Sequence, residues 1–583
     1  MLKKLAKYMK GLWLLSAISA SGMIIEAVCE LSLPKLANRV YDMVDTSTDA
    51  DATRKTLIVY GAFMLILAVI GLLGGLTTMK TSATVSQKFA FRLRKDVYNK
   101  ISQFSFKNID TFSTASLTTR LTNDITMLQN VVMMALRILV RGPALLIVSA
   151  VMAVSINPKM SATLLILLPI IAVIIALVMK SGFPMFQKMQ KKVDNVNRVV
   201  QENLIGIRVV KAFVREDREK KKFHAVSDDL AAQGAKAAGL IITVMPVMML
   251  LFNAVIVFLY YKGSIDASKG VMDVGEISVF ASYITQILMN LVMISMMLLQ
   301  LARGKACGER VVEVLDTEVD IKTPENAYIP AKDSAKGMVE FQNVGFKYDT
   351  DGNGDKILED ISFTARPGEI IGIVGGTGCG KSSIVNLIPR LYDATEGRVL
   401  VDGIDVKDYD LTALRDMIGV VLQKNVLFSG TIKDNIRWGD KNAADDEIIK
   451  ACKAAQAHDF ICEQPDGYDT NLAQGGLNLS GGQKQRLCIA RAMIKKPKIL
   501  ILDDSTSAVD TATEAKIRNS FYNELSDTTI FIIAQRISSV MDADKIIVVD
   551  DGKIDSIGNH NQLLENSEIY REIYKTQQKG VLE

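Results

Sequence analysis

The first 305 residues carry six apolar stretches, near 11–37, 56–79, 130–156, 160–182, 238–261 and 276–301. Crossing the hydrocarbon core of a bilayer takes about 20 mostly apolar residues in a helix, so each stretch is long enough to span. Uncharged runs such as residues 164–179 need lipid or a very large core, which sets aside a soluble helical bundle. Hydrophobic residues make up 49% of the chain and mean hydropathy is +0.21, yet 23% of residues are charged. That mixture reads as a membrane half joined to a soluble half, and 583 residues exceed what one domain holds.

Six spans put both ends on the same side, and the basic loops choose that side. Lys3, Lys4, Lys7 and Lys10 precede the first stretch, with nothing resembling a signal-peptide cleavage site. Asp42, Asp45, Asp49 and Asp51 follow it and suit the outside. The long loops 80–129 and 183–237 carry Arg92, Arg94, Lys95, Lys188, Lys191, Lys192, Lys220, Lys221 and Lys222, which suit the cytoplasm. The expected placement is multi-pass in the cell membrane with both termini cytoplasmic. Runs 88–104 and 196–213 read as helices continuing out of the spans. A net charge of +4 from 68 basic and 64 acidic residues gives no argument for nucleic acid. Cys29, Cys307, Cys379, Cys452, Cys462 and Cys488 lack metal-ligand spacing and read as reduced thiols.

Some residues within the spans are unusual against lipid. Glu26 and Glu30 lie four apart on one helical face, and Arg137 and Arg141 repeat that spacing in the third span. Ionisable groups at depth face a partner or a watery cavity; the glutamates either attract cationic substrates, pair with the arginines or sit near headgroups. Met289, Met293, Met296 and Met297 form a polarisable stripe that packs against helices or lines a substrate site. Pro246 is expected to kink the fifth span.

Past residue 336 the pattern changes to short β-rich runs alternating with helices. The apolar run 369–374 leads into Gly375, Gly376, Thr377, Gly378, Cys379, Gly380, Lys381 and Ser382, followed by Ser383. Strand, glycine loop and helix in that order turn backbone N–H groups and a helix N-terminus toward a phosphate. Lys381 adds a point charge there, and the Ser382 hydroxyl is placed to ligate Mg²⁺. Further on, Ile499, Leu500, Ile501 and Leu502 show no alternation, as in a parallel strand buried on both faces, and end in Asp503 and Asp504. Asp503 can hold Mg²⁺ through its water shell.

With Leu479, Ser480, Gly481, Gly482 and Gln483 added, the sequence resembles ATP-binding cassette (ABC) exporters over essentially its whole length. The resemblance extends to Gln423, to the string Leu427, Phe428, Ser429, Gly430, Thr431 and to Asn435 and Ile436. It implies an all-α six-span transmembrane domain (1–305), a linker (306–336) and an α/β P-loop ATP-binding cassette domain (337–583), with ATP and Mg²⁺ as cofactors. Tyr348 would stack on adenine, or is simply a strand aromatic. Gln423, with Ser382 and Asp503, would sense the metal and γ-phosphate. Residues 507–510 would form the D-loop, and 108–126 and 205–213 the two coupling helices. Ser480, Gly481, Gly482 and Gln483 would cap ATP held by the facing subunit, where a helix start again meets a phosphate.

The chain departs from the family at two positions. ABC proteins normally carry Glu where Asp504 stands and His where Gln535 stands. One subunit of bacterial heterodimeric ABC multidrug exporters shows this pair of changes beside an intact signature. The resemblance therefore implies a degenerate hydrolytic site and a second, non-identical ABC half-transporter with the Glu and His. Membrane lipid and hydrophobic small molecules are the other expected partners. A lipid or peptide exporter and a slow homodimeric transport ATPase are the alternatives. The segment Ala473, Gln474, Gly475 and Gly476 lacks the Glu many exporters carry there.

Overall fold

The structure, a computed structural model, describes residues 1–582 except 47–49, 271–272, 332–333, 349–355 and 506–508; most side chains of 163–183 also lie outside it. Two compact units emerge: Met1–Ser102 with Ala115–Asp316, and Gln103–Thr114 with Thr317–Glu583.

The first unit is built on six long helices: Trp13–Thr46, Ala50–Ser102, Ile125–Ile156, Pro158–Ile205, Glu216–Ser268 and Val274–Asp316. A helix of 53 residues such as Ala50–Ser102 is ~80 Å long at 1.5 Å per residue. That far exceeds a hydrocarbon core of about 30 Å, so the long helices have the length to run beyond lipid. Four segments are apolar and long enough to cross a membrane by length and composition among the described residues: Trp13–Val44, Thr53–Ser102, Thr114–Ile156 and Met249–Ser268. The expected spans at 160–182 and 276–301 lie in Pro158–Ile205 and Val274–Asp316, the former largely among undescribed side chains. Val59, Ile66 and Leu73 are each more than half exposed, an outward apolar face that suits lipid.

Backbones approach closely where the first two long helices cross. A Cβ on Gly74 would sit 2.7 Å from Gly22 O, and Thr78 Oγ1 donates to Ser19 O at 2.9 Å. Small residues and a hydrogen bond hold helices together where lipid removes the hydrophobic drive. Arg141 lies 3.6 Å from Glu26 and 2.7 Å from Glu30, whose other oxygen accepts from Gln286 at 3.2 Å. The glutamates thus pair with an arginine of the third span, while Arg137 has no ion pair among the described residues. Two cavities of about 510 Å³ adjoin this cluster, one reaching Gln286 and Met289, the other Arg137, Leu67 and Leu72. The methionines do not share one environment: Met289 and Met293 are exposed, Met297 is buried, and the Met296 side chain is not described. The helix Glu216–Ser268 continues across Pro246.

The second unit holds two larger sheets. Strands Val339–Phe346, Leu358–Ala365, Glu396–Val401 and Ile404–Asp405 form an antiparallel sheet. The other places Ile370–Gly375 between Lys545–Asp550 and Thr529–Ile533, with Ile499–Asp503, then Ile418–Val421, beyond the latter. Those five strands run parallel; Lys553–Gly558 closes the other edge antiparallel. All five residues of Ile499–Asp503 are buried, the burial on both faces that its unbroken apolar run predicts. All six cysteines are free thiols.

Candidate functional site

Parallel strands put their carboxyl ends on one edge, where open α/β sheets bind ligands. Here that edge gathers the glycine loop after Gly375, Asp503 and Asp504, Gln535 after Ile533, and Gln423 after Val421. Ile533 pairs with Asp503, and Val421 with Leu502. Residues separated by more than a hundred positions are thereby brought to the same end of the sheet.

The loop needs its glycines where space or backbone forbids a side chain. Gly375 has φ 152°, and a Cβ there would meet Val549 O at 2.1 Å; Gly380 has φ 99° and would meet Leu358 Cδ2 at 2.6 Å. Gly380 is the residue before the helix Lys381–Leu387, so the loop delivers the chain to a helix start. Lys381 folds its ammonium back onto the Gly375 carbonyl at 3.0 Å and lies 3.7 Å from Cys379 Sγ.

Ser382 Oγ donates to Asp503 Oδ1 at 3.0 Å. A hydroxyl and a carboxylate side by side suit a hard cation such as Mg²⁺ that draws its remaining oxygens from water and phosphate. No cluster of three or more His, Cys, Asp and Glu forms a protein cage for a metal among the described residues. Burial raises the Asp503 carboxyl above the usual range, against the pull of the Ser382 hydroxyl, and the neighbouring Asp504 charge adds to the rise.

Asp504 stands just past the strand in left-handed backbone, φ 48°. Gln535 Nε2 donates to its Oδ2 at 2.9 Å, Gln423 also bonds its carboxyl, and buried Gln485 donates to its carbonyl at 3.2 Å. Burial raises the Asp504 carboxyl as well, and the Gln423, Lys381 and Gln535 side chains oppose the rise. Gln423 therefore meets Asp504, with no bond to Ser382 or Asp503 among those described. The Tyr348 hydroxyl lies 2.9 Å from Ser383 Oγ, and its half-exposed ring meets Tyr392 edge-on at 5.1 Å.

Ser480 caps the helix Gly481–Met493. Its Oγ accepts from the Gln483 amide at 3.3 Å, and Gln483 Oε1 accepts from the Ser480 amide at 2.9 Å. These described hydrogen bonds close on their own helix; Gly481 and Gly482 form its first turn. Ser507 and Ala508 of the expected D-loop lie outside the described residues, while Asp510 caps the helix Thr511–Glu524.

The expected coupling segment 108–126 resolves into helices Phe106–Phe112 and Thr114–Thr119, then a wider turn, Arg120–Asp124. The first belongs to the second unit. Tyr392 donates to Asp110 at 2.7 Å and its ring lies 6.0 Å from Phe106; Asn108 donates to Glu318 O at 3.3 Å. The segment 205–213 contains the helix Ile207–Ala212, with Val209 and Phe213 exposed. Sequence reasoning missed Tyr392 and Gln485. Gln485 carried a signal in its place, two residues beyond the signature string and on the same helix, whereas Tyr392 stands outside every motif.

Residues 17–291 match the family described as ABC transporter transmembrane region, and residues 358–507 match ABC transporter. The chain is 39% identical over 576 residues, 99% of its length and 98% of the relative's, to the uncharacterized ABC transporter ATP-binding protein YfiB of Bacillus subtilis (strain 168). A fatty acid ABC transporter ATP-binding/permease protein of Mycobacterium tuberculosis (strain CDC 1551 / Oshkosh) is 35% identical over 484 residues, 83% of this chain and 76% of that protein. Among solved structures, a bacterial Atm1-family ABC exporter with ATP bound aligns with a TM-score of 0.78 at 26% identity over 98% of both chains.

Proposed function

The chain belongs to the ABC transporter family, and from that premise we propose that it is the slow-hydrolysing subunit of an exporter made of two unlike halves and moving amphipathic compounds. Membership makes it a multi-pass membrane protein, an exporter subunit whose soluble half binds ATP and whose family couples ATP hydrolysis to transport. The finer reading rests on the contact of Gln535 with Asp504 at 2.9 Å.

Hydrolysis in this family needs a carboxylate that orients water and a group that contacts the γ-phosphate. Asp is one methylene shorter than Glu, drawing the carboxylate back by roughly 1–1.5 Å, and misplacement of about 1 Å can cost on the order of a hundredfold in rate. Gln535 donates a hydrogen bond but carries neither a transferable proton nor a charge. Its amide and that of Gln423 occupy the Asp504 carboxylate. The binding groups remain: Lys381 at the phosphates, Tyr348 at the base, and Ser382, Asp503 and Gln423 for Mg²⁺, which neutralises phosphate charge when bound. Ser480, Gly481, Gly482 and Gln483 then serve the ATP of a partner half bearing the Glu and His.

The cavities beside Glu26, Glu30 and Arg141 combine apolar walls with charge, which suits amphipathic cargo. A lipid exporter is the second reading, favoured by likeness to the mycobacterial protein named a fatty acid transporter.

Purified alone in nanodiscs, the chain should bind ATP and hydrolyse it at a few per cent or less of the rate of the assembled pair. Brisk turnover lost in Lys381→Ala would overturn the heterodimer reading in favour of a homodimer. In the pair, Ser480→Arg should nearly abolish ATPase while Asp504→Asn lowers it less than twofold. Equal damage from both would reverse the assignment of the two sites.

A further inference from the structure

Helix Glu568–Leu582 buries Tyr570 completely and packs Ile569, Ile573 and Tyr574 on the core of the nucleotide unit. One turn past Tyr574, Gln577 turns its carboxamide onto the backbone that leaves strand Thr529–Ile533. The Gln577 Nε2 donates to Gln535 O at 2.7 Å, and its Oε1 accepts from the Ile537 amide at 2.9 Å. Arg536 between them is extended, φ −101° and ψ 128°, so the carbonyl before it and the amide after it face the same way. One carboxamide satisfies both, as a neighbouring residue does in a parallel ladder. The segment has left the sheet here: Ala534 still bonds Ile373 at 3.3 Å, and Gln577 takes over beyond it. The held residue is the one whose own side chain reaches Asp504.

We propose that Gln577 is a positioning residue for the nucleotide site, fixing the backbone of Gln535 so that its side chain bears on Asp504 and the bound γ-phosphate. The helix at the end of the chain thereby sets how long this site keeps its ATP. This rests on the reading that Gln535 faces the γ-phosphate. A side chain presented from a loop gains its precision from the groups that hold the loop, and no other described side chain bonds the backbone of both Gln535 and Ile537.

The test uses the full-length chain in nanodiscs, loaded with radiolabelled ATP and Mg²⁺ and chased with unlabelled ATP. Gln577→Met keeps the volume and removes both bonds; release should quicken about five- to tenfold with the melting midpoint within about 2 °C. Gln577→Glu retains the acceptor for Ile537 but not the donor to Gln535 and should fall between. Gln535→Ala should quicken release too, and Gln577→Met should then add less than twofold, because coupled residues are non-additive. Unchanged release in Gln577→Met, or full additivity with Gln535→Ala, would overturn the proposal and leave the site reading intact. An inert Gln535→Ala would sink the site reading and the clamp with it.

Discussion

A carboxylate kept from water by burial costs the protein stability in its ionised form. Burial lifts the Asp503 pKa above its unfolded value, and Asp504 adds to the rise. The ionised form therefore costs stability, in full above the raised folded pKa, and that cost fades as pH falls below the folded value toward the unfolded one. Asp503→Asn keeps an acceptor for Ser382 while removing the charge. It should raise the nucleotide-free melting midpoint at pH 7 by about 2–4 °C, shrink the gain seen on acidification, and abolish the further rise with ATP and Mg²⁺. Thermal melts across pH, with and without ligand, read all three; a lower midpoint for the variant at pH 7 would refute the burial cost. Residues of this kind were legible in the sequence because chemistry fixes their types and spacing: a lysine after a glycine loop, acids after an apolar strand. Gln577 and Tyr392 were not, since their partners are chosen by tertiary apposition and their types serve equally well on any polar surface.

Elements were legible where the solvent dictates them. Helices that cross lipid must satisfy every backbone group internally, and the parallel strand 499–503 must be apolar on both faces, so each wrote itself as a long run. Helix pairing left a weaker trace. Gly74 stands in a helix with Gly61, Gly71 and Gly75, and only the crossing tells them apart: a Cβ on Gly74 meets backbone, one on Gly61 meets nothing within 4 Å. Gly74→Val should lower the detergent melting midpoint by about 5 °C or more, in keeping with the ~1–3 kcal/mol cost of overpacking, while Gly61→Val leaves it within about 1 °C. Equal effects would show that β-branching in the helix, not the crossing, is what matters. The stripe of methionines divides between its two readings among the described side chains, because neighbours on one helix face need not meet one environment: Met297 is buried, while Met289 lines a cavity.

At the scale of the assembled transporter, the proposed slow site would leave one edge of the nucleotide-domain pair closed through successive turnovers. Spin-label pairs across the two edges should show a short, narrow distance at the Asp504 edge when the other has opened. Asp504→Glu with Gln535→His together should broaden it, and wide separation at both edges under turnover would rule the asymmetry out. The segment Gln103–Thr114 shows how far domain boundaries depart from chain order: by its contacts it is part of the soluble half, although about a third of the chain, Ala115–Asp316, separates it from the rest of that half. For anyone transplanting nucleotide domains between relatives, the graft is therefore discontinuous. A swap made at residue 317 alone would pair a foreign Asp110 with this Tyr392, and compatibility would be inherited in two pieces that selection must keep matched.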